Sequence, residues 1–427
     1  MVKHFLRRAL YLCGGIAFAL IAAEALVYVG YWVVRGKKLP QEEYRSAMLR
    51  RVDTLGVSGR AAKTSAGQYV VTGFPEVIHP YLGFVPDPGQ GPDQTTVGDA
   101  KQILQGSNTR LIVAVFGGSF AAGLCHFAGG ELRRVLARPG TEVHLLCMAV
   151  GGYKQPQQLL ALAYLLALGA HLDILINVDG FNEVALPAVE NIPQGVSPVY
   201  PRGWFWRVGN LNDPEALELL GGLFAVDRER SRWADVFSSW GLYRSTLLAL
   251  VWEQWDRRLD VERRKIRDEL NQHKIQQAKS YASTGPTMTF ADERSLYDYL
   301  GGVWKDSSLQ MKLLCEANGI AYHHFLQPNQ YVDGSKPMGS DERKVAIRPG
   351  HVYQRGVVHG YPVLIQEGKA LRGAGVKFHD LTTVFADVRD PLYNDDCCHV
   401  SGVGYRMIAR VIGDAIRTDT PSRPADQ

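Results

Sequence analysis

Runs of mainly apolar residues, separated by glycines and by helical patterns, recur along the chain from residue 111 onward. They are Leu111–Phe116, Glu142–Val150, Leu172–Val178, Ile320–Gln327 and Val376–Leu381. A short apolar run closed by turn residues is typical of a strand that is buried on both faces. Helical segments fall between and after these runs. The sequence therefore predicts an α/β fold in which a parallel sheet is covered by helices on both faces.

The longest apolar stretch lies near the N terminus, from Ala9 to Val34, and contains one charged residue, Glu24. A helix of this length is sufficient for a hydrocarbon core of about 30 Å. Tyr28, Tyr31 and Trp32 lie near its end, where aromatic rings favour a membrane–water interface. We therefore predict a single-pass transmembrane helix, contact with the lipid bilayer through residues 9–34, and a catalytic part outside the cytoplasm.

Two other interpretations of this stretch stay open. It is a cleaved signal peptide if the small residues around Ala17–Ala19 form a processing site. It is a buried helix of a soluble protein if its apolar faces pack on other helices. Glu24 would be costly in the bilayer unless it were protonated or paired with another helix. Basic residues flank both ends equally, so the positive-inside rule assigns no orientation.

The pattern divides the chain into an anchor followed by an interrupted core. The predicted segments are an N-terminal anchor (1–38), a linker and entry loop (39–105), a first core part (106–184), a helical, tryptophan-rich insertion (185–306) and a second core part (307–427). The insertion is predicted because the third and fourth strands are separated by far more residues than a crossover needs.

Composition narrows the function without defining it. The formal net charge is +4, and acidic and basic residues are mixed, so nucleic acid is not an expected partner. The six cysteines show no C-x-x-C spacing, which argues against a zinc finger, and they are too few for a disulfide scaffold. One disulfide is possible outside the cytoplasm, but the sequence does not identify its pair.

Four short segments carry the candidate chemistry. They are Gly117–Phe120, Gly151–Tyr153, Gly180–Glu183 and Asp395–His399. The first three follow predicted strands, and the carboxyl ends of parallel strands meet at one edge of a sheet. Each segment has an ordinary explanation when taken alone: a loop, a strand-to-helix turn, a helix cap, or a solvated or metal-binding acidic loop. Together they place serine, asparagine, aspartate and histidine where nucleophilic catalysis needs them.

In this order the segments resemble the SGNH (GDSL-like) hydrolase family, over about Leu111–Ile416. The resemblance implies a flavodoxin-like three-layer parallel sheet, the SGNH hydrolase fold. It implies that Ser119 is the nucleophile, with Asp396 and His399 as its catalytic pair. It also implies an oxyanion hole formed by Ser119, Gly152 and Asn182, with no metal or cofactor.

The segments depart from the family pattern at several positions. Gly118 stands where the family usually has aspartate, and Glu183 stands where its third segment continues with aspartate. Gly151 competes with Gly152 for the oxyanion role. Asp395 competes with Asp396 as the orienting carboxylate, although its spacing to the histidine is one residue away from the family's.

We expect a serine esterase that acts through an acyl-enzyme on O-acyl, above all O-acetyl, esters of a cell-envelope polysaccharide or glycoconjugate. Its expected partners are an acylated small molecule or glycan and the lipid bilayer. Two other functions stay open. One is an O-acetyltransferase with the same triad. The other is a non-enzymatic, membrane-tethered protein that binds or assembles glycans on a degenerate SGNH scaffold.

Overall fold

The computed structural model describes residues 2–57, 62–63, 69–70, 76–86, 110–208, 213–276 and 281–419. The chain divides into two compact units. The first comprises Met1–Lys63, Tyr69–Phe74 and Asn210–Ala278, and the second comprises Thr64–Gln68, Pro75–Gly209 and Lys279–Gln427. The predicted insertion, residues 185–306, is therefore split between the two units.

The described strands are β1 (Ala62–Lys63), β2 (Tyr69–Val70), β3 (Glu76–His79), β4 (Gly83–Pro86), β5 (Arg110–Gly117), β6 (Glu142–Cys147), β7 (Ile174–Asp179), β8 (Ala321–Leu326) and β9 (Lys377–Asp380). The described α-helices are α1 (Val2–Arg35), α2 (Gln41–Val57), α3 (Ser119–Leu136), α4 (Gln157–Ala167), α5 (Phe181–Leu186), α6 (Trp204–Val208), α7 (Pro214–Ser239), α8 (Thr246–Gln276), α9 (Tyr281–Thr284), α10 (Glu293–Ala317), α11 (Ser340–Ala346), α12 (Val352–Gly373) and α13 (Gly402–Asp419).

The second unit is built on a five-stranded sheet with the order β6-β5-β7-β8-β9. All four pairings are parallel. Numbered by chain position within the sheet, this order is 2-1-3-4-5, the flavodoxin-like order. The predicted parallel α/β sheet is confirmed, and all five predicted strands are present. The loops after β5 and β7 lie beside the point where the strand order reverses, which is where open α/β sheets usually place their sites.

Helices cover both faces of this sheet. Because successive side chains of a strand point to opposite faces, His323 and His324 of β8 identify the two layers. His323 lies 3.4 Å from Asp419 of α13. Nδ1 of His324 is hydrogen-bonded, at 2.8 Å, to the hydroxyl of Ser308 in α10. The predicted three-layer arrangement therefore holds around β8.

The central strands owe their burial to their composition. From Leu111 to Gly117, every residue of β5 is buried, and so is every residue of β7. A parallel strand covered on both faces needs a continuous apolar run of this kind. The carboxylate of Asp173, just before β7, accepts the Ile112 N–H at 2.6 Å and so helps to fix the register of the two strands.

The predicted transmembrane anchor is wrong. Among the helices in the described part of the chain, none is both long and apolar enough to cross a membrane. The N-terminal stretch is helical, but Glu24 accepts hydrogen bonds from the Ser245 hydroxyl (2.6 Å) and from the N–H groups of Thr246 (2.6 Å) and Leu247 (3.1 Å). A carboxylate at the start of α8 is favoured by the free N–H groups there. The predicted localisation, as a single-pass membrane protein, depended on this anchor and is wrong for the same reason.

The segments between the N-terminal helix and the sheet are partly regular. The stretch expected to be a linker or surface helix contains α2. The expected entry loop begins as an antiparallel hairpin of β3 and β4, and its remainder from residue 87 lies outside the described residues. A disulfide joins Cys125 of α3 to Cys147 at the end of β6, which identifies the pair that the sequence left open.

A buried ion pair lies under the C-terminal candidate segment. The Lys336 Nζ atom lies 2.8 Å from Glu342 Oε2, and their side chains are 0% and 1% exposed. The other carboxylate oxygen accepts the N–H groups of Leu392 at 2.7 Å and Tyr393 at 2.9 Å. Burial alone would raise the pKa of Glu342, but the ammonium and these N–H groups lower it. The pair therefore fixes the backbone just before Asp395.

Replacing Glu342 by alanine should destabilise the second unit by about 3–5 kcal/mol, because it leaves the Lys336 charge buried without a partner. Since the folded-state pKa of this carboxyl is lowered, its contribution is present at neutral pH and is lost as the pH falls through that value. Urea unfolding at two pH values measures both effects. The control is Asp341→Ala, whose carboxylate is 88% exposed and should change stability by under about 0.5 kcal/mol. Equal losses in the two variants would contradict the assignment.

Candidate active site

Ser119 lies at the amino end of α3, directly after the central strand β5. Its Oγ atom is 2.8 Å from Nε2 of His399, although 280 residues separate the two in sequence. The positive end of the helix dipole lies beside this hydroxyl and favours negative charge on it. The predicted nucleophile and the predicted base are therefore in hydrogen-bonding contact.

The second ring nitrogen of His399 is held by Asp395. The distance from Nδ1 to Oδ2 of this carboxylate is 2.5 Å. A carboxylate at Nδ1 fixes the imidazole tautomer that leaves Nε2 free to accept a proton from the serine. The side chains of His399 and Asp395 are 31% and 38% exposed, so the pair is accessible to solvent.

The structure corrects the prediction that Asp396 orients the histidine. The carboxylate of Asp396 lies 3.6 Å from the guanidinium of Arg348, at the protein surface. Its main-chain carbonyl accepts a hydrogen bond from the Tyr331 hydroxyl at 3.1 Å. The Asp-x-x-His spacing therefore selected the wrong member of an adjacent pair, and the carboxylate four residues before His399 makes the contact.

A local turn explains why Asp395 makes this contact. Its Oδ1 atom accepts the N–H groups of Cys397 (3.0 Å), Cys398 (3.0 Å) and His399 (3.1 Å). This is an Asx-type turn, in which an aspartate side chain binds backbone N–H groups that follow it. Burial alone would raise the pKa of Asp395, but the hydrogen bonds from the imidazole and these N–H groups lower it. The carboxylate is thus ionised and held in place by both oxygens.

Asn182, in the first turn of α5, lies beside the residue that precedes the nucleophile. Its Nδ2 donates to the Tyr153 carbonyl at 2.7 Å. A primary amide has two N–H donors, so the second is available to a substrate oxygen. A Cβ atom at Gly118 would overlap Nδ2 of Asn182. The close approach of the amide explains why glycine, rather than an acidic residue, stands at position 118.

The two glycines after β6 occupy different surroundings. A Cβ atom at Gly151 would lie 4.0 Å from Cβ of Ser119, so this glycine faces the nucleophile. Gly152 has a φ of +82°, a conformation that glycine adopts without strain, and it faces the side chain of Arg202. The Gly152 N–H belongs to the peptide bond that joins them. The predicted oxyanion residues Ser119, Gly152 and Asn182 therefore come from three loops that meet at this edge of the sheet.

Buried carboxyl groups brace the loops beneath the site. Glu183 accepts the N–H groups of Gly180 at 2.8 Å and Gln155 at 3.2 Å, which joins the loop after β7 to the loop after β6. Burial, and then the nearby charge of Asp179, raise the pKa of Glu183 to about 8. Asp179 itself accepts the Trp304 indole N–H at 2.7 Å. Glu183 therefore positions the backbone of the two loops, whereas Asp179 holds the side chain of Trp304 beneath them.

The same segment contains metal-binding residue types. Cys397 and Cys398 are free, with their sulfur atoms 3.4 Å apart, and ligand atoms of both lie within 4.8 Å of a His399 nitrogen. Thiol and imidazole ligands suit zinc-class ions. However, the imidazole already bridges Asp395 and Ser119, so a metal here would compete with the catalytic contacts.

No family model matches the chain, and no curated protein matches it either. The chemical interpretation therefore depends on the geometry described above. One hydrogen bond joins a hydroxyl to an imidazole, and a second joins the imidazole to a carboxylate. Amide donors lie beside the hydroxyl. This arrangement can carry out acyl transfer.

Two single replacements, each removing the negative charge of one of two adjacent aspartates, test which of them orients the His399 imidazole. Asp395→Asn should lower kcat by about 10⁴-fold, because an amide stabilises the wrong imidazole tautomer and cannot balance the imidazolium charge. Asp396→Asn should change kcat by less than about threefold, because its carboxylate faces Arg348. Ester hydrolysis by the two purified variants measures the difference. The reverse order of activities would restore Asp396 as the orienting residue.

Proposed function

We propose that this protein is a serine esterase of the SGNH type, which hydrolyses O-acyl esters through an acyl-enzyme on Ser119. The observation that carries the proposal is the continuous hydrogen-bonded path from Ser119 through His399 to Asp395, with distances of 2.8 Å and 2.5 Å. A site that had lost its activity would have no need to keep a nucleophile, a base and a carboxylate within hydrogen-bonding distance of one another. This argues against a purely binding role, although a fold alone does not establish activity.

In the acylation step, the Ser119 oxygen attacks the ester carbonyl carbon while Nε2 of His399 takes the hydroxyl proton. The new C–O bond pushes the carbonyl electrons onto oxygen, and the resulting oxyanion is held by the N–H groups of Ser119 and Gly152 and by the free amide N–H of Asn182. Loss of one such donor typically costs about 100- to 1000-fold in turnover. Collapse of the intermediate expels the alcohol, which receives the proton from His399.

Deacylation repeats these steps with water as the nucleophile. His399 removes a proton from water, hydroxide adds to the acyl carbon, and the carboxylic acid leaves as the Ser119 hydroxyl is restored. Asp395 stabilises the imidazolium that forms in both halves of the reaction. The partial exposure of the His399 side chain, 31%, gives water a route to the base.

The substrate class is proposed as O-acyl esters, with O-acetyl groups on a glycan as the first candidates. This choice follows from the family resemblance alone, since the membrane helix that also suggested a cell-envelope substrate is corrected above. A transferase with the same triad would form the same acyl-enzyme and would differ only in the acceptor. Product analysis with and without an acetylated sugar acceptor separates the two.

Hydrolysis of p-nitrophenyl acetate by the full-length protein tests the proposal. Ser119→Ala and His399→Ala should each lower kcat/KM by at least about 10³-fold, because either change removes the activated nucleophile. His171→Ala is the matched control, since that imidazole is 53% exposed and lies 3.6 Å from Asp173, which precedes β7 at the end of the strand opposite the site. Turnover that is unaffected by the serine and histidine substitutions would rule out the proposed esterase mechanism at this site.

A further inference from the structure

A second group of polar side chains converges where β8 and β9 meet the end of α13. Nε2 of His379 lies 3.1 Å from Oδ2 of Asp419, and Nδ1 of His323 lies 3.4 Å from the same oxygen. One ligand atom from each residue lies within 4.8 Å of the other two. None of the three residues belongs to the catalytic triad or to the loops that support it.

The converging atoms are buried, and the contacts of the two histidines with Asp419 do not satisfy their hydrogen-bonding capacity. Within the described residues, neither the ring nitrogens of His323, nor Nε2 of His379, nor Oδ2 of Asp419 makes a well-aligned hydrogen bond, although both histidines lie at ion-pair distance from Asp419. The His323 side chain is fully buried, at 0% exposure. Buried polar atoms in native proteins nearly always have a partner, so one atom from each of three residues converging on one place calls for a shared one.

The backbone holds the two imidazoles on one face of the sheet. In the parallel pairing, His323 lies opposite Lys377 and Phe325 lies opposite His379. His323 and His379 are therefore diagonal neighbours whose side chains share a face, and their rings stack with centroids 5.9 Å apart. Two ligands fixed by adjacent strands lose little freedom when they bind an ion.

The donor set fits an ion of the zinc class. Two imidazole nitrogens and one carboxylate oxygen are typical zinc ligands, with bonds of about 2.0–2.1 Å, which place neighbouring ligand atoms of a tetrahedron about 3.3 Å apart. The two measured separations, 3.1 Å and 3.4 Å, lie on either side of that value.

Basic side chains nearby set a limit on which ions can bind. Lys377 Nζ donates to the main-chain oxygen of Asp419 at 3.3 Å, and Arg372 donates to the Phe378 carbonyl at 2.8 Å. Their positive charges weaken the binding of any divalent cation. Magnesium and calcium, which require several oxygen ligands, are disfavoured further by the two imidazoles, and this leaves ions with a strong preference for imidazole nitrogen.

We propose that His323, His379 and Asp419 form a binding site for one zinc-class divalent ion, with solvent as the fourth ligand. The ion joins the last residue of α13 to β8 and β9. Because α13 begins at Gly402, three residues after His399, this link steadies the helix that follows the catalytic loop. The site is separate from the proposed esterase reaction, because none of its three ligands belongs to the catalytic triad.

Zinc titration of the full-length, chelator-treated protein tests the site. Wild type should retain one zinc ion per chain after gel filtration, measured by elemental analysis. Asp419→Asn, which replaces the carboxylate by an amide of the same size, and His379→Gln should each weaken zinc binding by at least about 10-fold. Even mutations of residues that only contact a metal ligand lower metal affinity by about 10- to 100-fold. The double variant Cys397→Ser/Cys398→Ser is the matched control, because it alters the other cluster that could bind metal. It should bind zinc as wild type does.

Cobalt substitution gives an independent result. Cobalt at the proposed site should show visible bands of a tetrahedral nitrogen and oxygen site, without a thiolate charge-transfer band, and Asp419→Asn should lose those bands while its far-UV circular dichroism is unchanged. The proposal is overturned if wild type retains no zinc, if Asp419→Asn binds as tightly as wild type, or if binding depends on the two cysteines.

Discussion

The two hydrogen bonds made by the His399 imidazole are the interaction on which the site depends. One side of the ring contacts Ser119 at the end of the central strand, and the other side contacts Asp395 in a turn near the C terminus. The sheet fixes the first contact, because β5 is buried along its length. The second depends on a loop without regular structure, so the buried pair of Lys336 and Glu342 must hold the backbone that leads into it.

The fold could be predicted to a large extent because its strands are buried on both faces. The strand β5 is apolar from Leu111 to Phe116, and that pattern is visible in the sequence without knowledge of its neighbours. The N-terminal helix shows the limit of the same argument. The apolar pattern does not reveal that Glu24 meets the start of α8, because these contacts join residues more than 220 positions apart in sequence.

The site could be predicted only at the level of its segments. Ser119 and Asn182 were expected at the sheet edge and are found there, because each lies just after the end of a strand, whereas His399 reaches Ser119 from a loop near the C terminus. The choice between Asp395 and Asp396 was wrong because spacing does not reveal which side chain faces the ring. An Asx-type turn, in which an aspartate precedes the N–H groups it binds, is the signal that would have selected Asp395. The support from Glu342 has no local signal, since the N–H groups of Leu392 and Tyr393 that it binds lie 50 and 51 residues away.

Covalent labelling tests most directly whether Ser119 is a nucleophile activated by His399. The full-length protein would be treated with a fluorophosphonate, which reacts with activated serines, and the adduct located by peptide mass spectrometry. We predict a single adduct on Ser119, formed at a rate that falls to the background level in His399→Ala. An adduct on another serine, or equal labelling of the wild type and the histidine variant, would contradict the account.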